Sequence, residues 1–98
     1  MSYARVSKYE VPADRFDEAL RSFEEAMGDL DPMEGIEEAL LLVDRSSGDA
    51  MTITIWESEA ALTATEQEAS EIRQRAVSAP GGKVTDIGRY EIALRKTM

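Results

Sequence analysis

The side chains of this sequence that could take part in chemistry are hydrogen-bond donors and carboxylates. The chain has no histidine and no cysteine, which excludes imidazole bases, Ser-His-Asp triads, thiolate nucleophiles and cysteine zinc sites. The groups that remain can donate to an oxyanion, or act as a base where burial raises a carboxyl pKa. The candidate donors are Trp56, Tyr3, Tyr9, Tyr90, Arg5, Arg73 and Arg89, and the candidate bases are Glu66 and Glu91. The remaining side chains can therefore support anion stabilisation and proton transfer, and we expect neither a metal nor a cofactor.

Length and charge narrow the class of protein. At 98 residues the chain is expected to form a single domain that spans residues 1–98. The net charge of −9 argues against binding to nucleic acid or to an anionic membrane, because both need a cationic face. No apolar run reaches the roughly 20 residues that cross a bilayer, and the N-terminal MSYARVSKYEVP lacks the apolar core of a signal peptide. We therefore predict a cytoplasmic protein with neither nucleic-acid nor membrane partners.

The first half of the chain is predicted to contain a strand, a helix and a second strand. Residues 3–9 alternate in polarity, as strand residues do. From Phe16 to Leu30, apolar residues recur at three- and four-residue spacing between acidic ones, which indicates an amphipathic helix that ends near Gly28. Residues 36–45 contain the unbroken apolar run Ala39–Val43. Such a run is typical of a strand that is buried on both faces.

A hairpin is predicted to join the second strand to the third. The segment SSGD at residues 46–49 is a turn signal, and residues 50–57 then alternate again. One face of this third strand carries Met51, Ile53 and Ile55, and the other carries Thr52, Thr54 and Trp56. We expect the face with Trp56 to pack under the helices and the aliphatic face to point towards a partner subunit.

The last elements complete a recognisable order. Ser58 is expected to cap a second helix, which PGG at residues 80–82 ends, and the last strand is predicted over Lys83–Arg95. The order β-α-β-β-α-β is the ferredoxin-like split βαβ arrangement of the α+β class, a four-stranded antiparallel sheet with two helices on one face. Because the strand at residues 36–45 needs both faces covered, we expect the sheet of a second copy to pack on the first, giving a homodimeric α/β barrel.

The sequence resembles the antibiotic biosynthesis monooxygenase superfamily of small dimeric α/β-barrel proteins, in particular its short single-domain members. The likeness covers nearly the whole chain and lies in the element order, the length, the phrase EALLLVDRSSGDAMTITIWESEAAL and the closing GRYEIAL. Its most specific part is IWESEAAL, in which a strand ends in tryptophan and a helix with an acidic start follows directly.

This resemblance implies one of two known activities. Characterised members are cofactor-independent oxygenases that oxidise aromatic polyketide phenols to quinones, or oxygenases that degrade haem. Both place a tryptophan at the end of the third strand, which matches Trp56. The quinone-forming type has an asparagine four residues earlier, where this chain has Thr52, and the haem-degrading type needs a histidine near Glu66, which the chain lacks. The resemblance therefore implies the cofactor-independent type, and the departure at Thr52 weakens the match to it.

Two functions of different class fit these residues. The first is a cofactor-independent monooxygenase-like enzyme for a small aromatic or polyketide-like molecule, with Trp56 as pocket wall. The second is a non-enzymatic dimeric binding or accessory protein with a vestigial pocket, and a purely structural dimer is a third. A cavity of about 300 Å³ or more beside Trp56 would favour a ligand. The substrate-binding candidates are Trp56, Thr52, Thr54, Tyr3, Arg5, Glu66, Arg73 and Tyr90.

Overall fold

A four-stranded antiparallel sheet with helices on one face forms the structure. The computed structural model describes residues 2–98. The strands are β1 (Tyr3–Glu10), β2 (Ile36–Asp44), β3 (Asp49–Trp56) and β4 (Lys83–Glu91), and the helices are α1 (Phe16–Gly28), α2 (Glu59–Ala64) and α3 (Glu66–Ser78). The strands lie in the order β2-β3-β1-β4, and all neighbours are antiparallel. This order confirms the predicted α+β, ferredoxin-like fold. Within residues 2–98 no helix is long and apolar enough to cross a membrane.

The face of β1 that packs against the helices is its polar face. Tyr9 packs edge-on against Phe23 of α1, with the ring centroids 5.0 Å apart, and Ser7 accepts a hydrogen bond from Arg73 of α3 at 3.4 Å. Because strand side chains alternate between faces, Arg5 lies on the same side as these two residues. The interior of this protein is therefore unusually polar along its first strand.

Strand β3 presents the two faces that its alternation predicts. Trp56 is fully buried, and its indole N–H donates to Thr54 Oγ1 at 3.0 Å on the helix side of the sheet. On the other side, the register places Ile53 beside Val6 of β1 and Leu40 of β2. Neighbouring residues in register point to the same face of a sheet. An aliphatic row therefore runs across three strands on the face without helices.

This open face leaves part of β2 exposed in the single chain. Leu40 and Leu42 are 42% and 48% exposed, because no helix or strand within residues 2–98 crosses that side of the sheet. The prediction that both faces of β2 are buried relied on a second copy of the chain, so it stays a prediction, and the single chain covers only one face. Full burial of a leucine stabilises a fold by about 1.5–3 kcal/mol, and half of that contribution is missing at each residue.

The core consists of two hydrophobic clusters that Ile72 of α3 connects. One cluster surrounds Tyr9 and Phe23, and the other surrounds Trp56 and Leu62. Ile72 is partly buried and packs against both. The two clusters are therefore held at opposite ends of the helix–sheet interface, with the middle of α3 between them.

The region predicted as a single second helix is two helices. Ser58 caps α2 as predicted, accepting a hydrogen bond from the backbone N–H of Ala61 at 3.1 Å. At Thr65 the helix breaks, and the Thr65 hydroxyl donates to the carbonyl oxygens of Ala61 and Leu62 at 3.0 and 3.2 Å. Such back-bonding by threonine competes with the regular backbone hydrogen bonds of a helix.

Strand β4 is shorter than predicted, for a reason that lies in β1. The prediction extended the strand to Arg95, but pairing with β1 ends where Tyr3 meets Glu91. One further backbone hydrogen bond follows, from Ile92 N–H to the carbonyl oxygen of Ser2 at 2.9 Å. Beyond that point β4 has no neighbouring strand to pair with, so its regular structure ends.

Candidate functional site

A small cavity lies between the sheet and the helices α1 and α3. Its volume is about 50 Å³. The sheet wall is polar and is formed by Arg5, Ser7, Tyr9, Thr52 and Thr54. The helix wall is mostly apolar and is formed by Phe23, Ala26, Met27, Leu30, Ala69, Ile72 and Ala76, with Arg73 as its one charged member. A cavity with these two walls suits a molecule that has an apolar body and a polar edge.

The register of β1 and β3 explains why polar groups collect on the sheet wall. Arg5 lies beside Thr54, and Ser7 lies beside Thr52. Both pairs point to the helix side, so the four side chains form one polar patch that covers two positions on each of the two strands. Small residues on α3 leave space opposite this block, since alanine carries only a methyl group.

Arg5 is the most deeply buried charged group of the site, with 2% of its surface exposed. Its Nη2 donates to the carbonyl oxygen of Leu62 at 2.7 Å and to Glu66 Oε2 at 3.0 Å. Its guanidinium carbon also lies 5.4 Å from the centre of the Trp56 ring, within range of a cation–π interaction. Desolvation lowers the pKa of Arg5, and the neighbouring Glu66 carboxylate opposes that shift. Arg5 is therefore fixed by the end of α2 and the start of α3.

Arg73 is the second buried cation and is far less well paired. It is 9% exposed, and its Nη1 donates to Ser7 Oγ over a long 3.4 Å. Within residues 2–98, Arg73 forms no ion pair with a carboxylate. A buried arginine normally has a charged or strongly hydrogen-bonding partner. The guanidinium of Arg73 therefore faces the cavity with most of its donors free.

Tyr9 closes the sheet wall at the end of the cavity away from Trp56. Its hydroxyl shares a hydrogen bond of 2.8 Å with Thr52 Oγ1. Burial raises the pKa of Tyr9 above its usual value, while the hydrogen bonds to Thr52 and Ser7 and the nearby arginines act in the opposite direction. At neutral pH the phenol is therefore protonated and available as a donor.

Trp56 supports the cavity without lining it. The indole is completely buried in a cluster with Leu30 and Leu62. Two of its neighbours do line the cavity: Arg5, which lies over the indole ring, and Thr54, which accepts the indole hydrogen bond. A ligand in the cavity would contact these two side chains, and Trp56 would hold both in place from behind.

The remaining predicted residues lie outside the cavity. Glu66 touches it only through Arg5, and its carboxylate also lies 3.5 Å from Arg89. Tyr3 borders a separate hollow at the sheet edge, where burial and the carboxylates of Glu59 and Glu91 raise its pKa. Tyr90 borders the same hollow, is 55% exposed, and its ring lies against Gly88 on the open face. The cavity therefore collects the following members of the predicted set: Arg5, Thr52, Thr54 and Arg73.

Two polar residues of the cavity, Ser7 and Tyr9, are absent from the predicted binding set. Tyr9 is predicted as a hydrogen-bond donor but not as a binding residue, and Ser7 is not among the candidates. Both follow Arg5 at two-residue intervals along β1, and all three line the cavity. The alternation that places Arg5 on the helix side was therefore the signal that could have found them. Within residues 2–98 no three histidine, aspartate or glutamate side chains are grouped closely enough to hold a metal.

Comparison with known proteins defines the class through the fold. Neither a protein-family model nor a curated protein sequence matches the chain. Solved structures match over nearly all of it, and at no more than 20% identity in those described below, the likeness concerns the fold. The ferredoxin-like sheet, the helices on one face and the length are shared with these solved structures. The fold that the sequence resemblance implies is thus confirmed.

Three of these structures are informative. SnoaB, a cofactor-independent oxygenase from Streptomyces nogalater, is 14% identical with a TM-score of 0.70, covering 99% of this chain and 96% of its own. The heme-degrader MhuD from Mycobacterium tuberculosis, with two hemes bound in its active site, is 20% identical with a TM-score of 0.72, covering 97% and 99%. Rv0793 from Mycobacterium tuberculosis is 11% identical with a TM-score of 0.71, covering 100% of both chains.

Proposed function

We propose that the chain belongs to the antibiotic biosynthesis monooxygenase superfamily and acts as a cofactor-independent monooxygenase on a small aromatic, polyketide-like molecule. The observation that carries this proposal is the cavity, which opposes an apolar helix wall to a polar sheet wall containing Arg5. An aromatic ring fits the first wall and a phenolic oxygen fits the second. The fold shared with SnoaB, a cofactor-independent oxygenase, supports the same class of reaction.

The chemistry needs an ionised substrate and a protein that stabilises it. A phenolate is electron-rich enough to pass an electron to O₂ without a cofactor. In the overall reaction a ring CH₂ becomes a carbonyl group, one oxygen atom of O₂ enters the product and the other leaves as water. The substrate supplies all the electrons. Arg5 and Arg73 would stabilise the substrate oxyanion, and the closed helix wall would exclude water from the intermediates.

The helix wall must move to admit a complete aromatic ring. A cavity of about 150 Å³ is known to hold benzene, whereas this cavity measures about 50 Å³. Met27 and Ile72 are the partly exposed side chains of the helix wall. Methionine has three flexible bonds and adapts easily to new shapes. We propose that the ring enters beside Met27, with its oxygen towards the sheet.

Oxygen uptake with anthrone as substrate tests this function, in buffer without added metal or flavin. We expect native protein to consume O₂ faster than buffer, and Arg73→Met to lower the rate by about 100-fold, as loss of an oxyanion donor typically does. The matched control is Arg75→Met, which removes an exposed arginine from the same helix and should retain the native rate. Uptake at the buffer rate by native protein would contradict the proposal.

A non-enzymatic ligand-binding protein is the second candidate function, and one observation favours it. No carboxylate among residues 2–98 lines the cavity, so the site lacks the usual base for ionising a phenol. A binding protein has no need of one. Calorimetry that detects anthrone binding while O₂ uptake stays at the buffer rate would establish this function in place of catalysis.

We further propose that the protein is a homodimer joined through the open face of the sheet. The aliphatic row on this face contains Leu40 and Leu42, which are exposed in one chain, beside the partly buried Ile53. A second copy would bring an identical row, so the two faces would bury each other about a two-fold axis, as is usual for dimers. The homodimeric barrel implied by the sequence resemblance uses the same face. The cytoplasmic location of the protein also remains a prediction.

A further inference from the structure

The charges buried around the cavity do not balance. Arg5 and Arg73 are both buried, and the ion pair nearest to the cavity is between Arg5 and Glu66. Glu66 also lies 3.5 Å from Arg89, so its one negative charge is shared between two arginines. Arg89 is half-exposed, and solvent can compensate its charge. One buried positive charge therefore remains without a counter-charge, in a chain whose net charge is −9.

A buried unpaired donor on Arg5 and a weakly paired guanidinium on Arg73 both belong to side chains that line the cavity. The Nε–H of Arg5 is buried and has no hydrogen-bond partner among residues 2–98. Arg73 makes a single hydrogen bond of 3.4 Å, to Ser7. A buried donor without a partner costs about 1–3 kcal/mol, and more when the group is charged. The unpaired donor of Arg5 and the weakly paired cation of Arg73, both on side chains that line the cavity, indicate that a partner belongs there.

The chemistry of this partner follows from the donors and the space. Guanidinium groups are planar and match planar oxyanions, which accept parallel hydrogen bonds. The missing counter-charge is a single negative charge. The volume of about 50 Å³ admits the oxygen-bearing edge of a molecule, because one water molecule occupies about 30 Å³ in the liquid. A dianion would carry one negative charge more than the site lacks.

We propose that the cavity is an oxyanion site that takes the planar, singly charged edge of a small aromatic acid, either a carboxylate or a phenolate. The oxyanion accepts hydrogen bonds from the guanidinium of Arg73 and from the Nε–H of Arg5, and Ser7 lies beside it as a further donor. This inference deepens the proposed function, because it assigns the substrate of the same cavity to the class of ionised aromatic acids.

The test is an NMR titration of isotope-labelled protein with sodium benzoate, compared at equal ionic strength with its neutral analogue benzamide. We expect benzoate to shift the Arg5 Nε–H signal and the amide signals of Ser7 and Thr52 saturably, and benzamide to leave them in place. Arg73→Met should weaken benzoate binding by at least about tenfold, the effect of losing one charge-assisted hydrogen bond. Arg75→Met, on the exposed side of the same helix, should bind like the native protein.

Each alternative outcome overturns the inference. These outcomes are an absence of saturable shifts with benzoate, equal shifts with benzamide, and native affinity in Arg73→Met. If Arg73→Met does not fold, Arg73→Gln takes its place, since it keeps a polar group of intermediate length. The Arg5 Nε–H signal of the native protein tests the site without any substitution.

Failure of the oxyanion site and failure of the proposed function are distinguishable. Saturable benzoate binding without O₂ uptake would reject the oxygenase and support the oxyanion site. Conversely, O₂ uptake that benzoate does not inhibit, in a protein that does not bind benzoate, would reject the oxyanion site and leave the oxygenase in place. The two measurements use the same native chain, so the comparison needs no further variant.

Discussion

The two faces of the sheet differ in polarity. In an ordinary α+β protein the face under the helices is apolar and the solvent face is polar, whereas this sheet has polar residues under the helices and aliphatic residues on the open face. The face under the helices buries Arg5 and Ser7, whereas the face open to solvent carries Leu40 and Leu42. Burial of polar groups is costly unless they are hydrogen-bonded, and exposed aliphatic groups contribute nothing to folding of the single chain. Selection for stability alone would favour the reverse. The contrast supports the proposal that the first face serves a ligand and the second a partner subunit.

The largest expected effect concerns the open face. Leu40→Glu places a charge in the middle of the proposed dimer interface, and a buried unpaired charge costs several kcal/mol. We expect sedimentation to show a mass of twice 10.8 kDa for the native protein at micromolar concentration, and the single-chain mass for the variant. An exposed control, Glu24→Gln on the outer side of α1, should remain dimeric. Sedimentation of the native protein as a monomer would contradict the proposal that this face is a dimer interface.

The second effect tests the support behind the cavity. Trp56→Phe removes the hydrogen bond to Thr54 and part of the surface against which Arg5 packs. We expect the free energy of unfolding to fall by about 2 kcal/mol, from the lost core volume and the unpaired hydroxyl. Denaturant unfolding measures the change. Benzoate binding should weaken in the variant although Trp56 does not line the cavity, and unchanged binding would show that the indole does not position Arg5.

The third effect separates function from stability on the helix-facing side. Arg73→Met replaces a poorly paired buried cation by an apolar side chain, which removes the cost of burying a charge without a counter-charge. We expect the variant to unfold at higher denaturant concentration while losing benzoate binding. Arg75→Met should change stability by less than about 0.5 kcal/mol, as exposed substitutions do. A clear loss of stability in Arg73→Met would instead assign Arg73 a structural role.

The smallest effect is a pH dependence that involves Tyr9. Burial raises the Tyr9 pKa above 10.0, so the folded protein holds the phenolic proton more tightly than the unfolded chain does. The resulting stabilisation is complete below the unfolded pKa and is lost as pH rises through the folded pKa. Tyr9→Phe should therefore lose less unfolding free energy than the native protein between about pH 9 and pH 11.

Thr52→Val is the matched control for this measurement. It keeps the phenol but removes its hydrogen-bond partner at 2.8 Å, an interaction that lowers the Tyr9 pKa. The folded pKa then rises further, so the alkaline loss of stability should persist in this variant. Identical alkaline profiles for Tyr9→Phe and native protein would contradict a buried, protonated Tyr9.

Strand alternation made the fold and the two faces predictable, but it did not say what each face meets. The pattern of β3 correctly separated Thr52, Thr54 and Trp56 from the aliphatic row, because side chains of a strand alternate strictly. The end of β4 was not predictable from its own residues, since it depends on where β1 begins. The break at Thr65 depends on a local side-chain hydrogen bond that competes with helix propagation.

The site was predictable only in part, because burial of a polar residue is a tertiary property. Arg5, Thr52, Thr54 and Arg73 were named from their chemistry, and the structure brings them to one cavity. Alternation along β1 places Ser7 on the same face as Arg5, but it does not show which residues of that face line a cavity. That Trp56 lies behind the cavity wall depends on how Arg5 packs across its ring. No spacing rule along one strand contains that information.

The packing of Arg5 over Trp56 gives the protein a built-in optical reporter. The indole is the only one in the chain, and its ring centre lies 5.4 Å from the guanidinium carbon of a cavity-lining residue. A nearby positive charge shifts indole emission, so a bound anion that draws the guanidinium away should change the fluorescence. Occupancy of the cavity can therefore be followed by emission in the unlabelled native chain, without dyes, tags or substitutions.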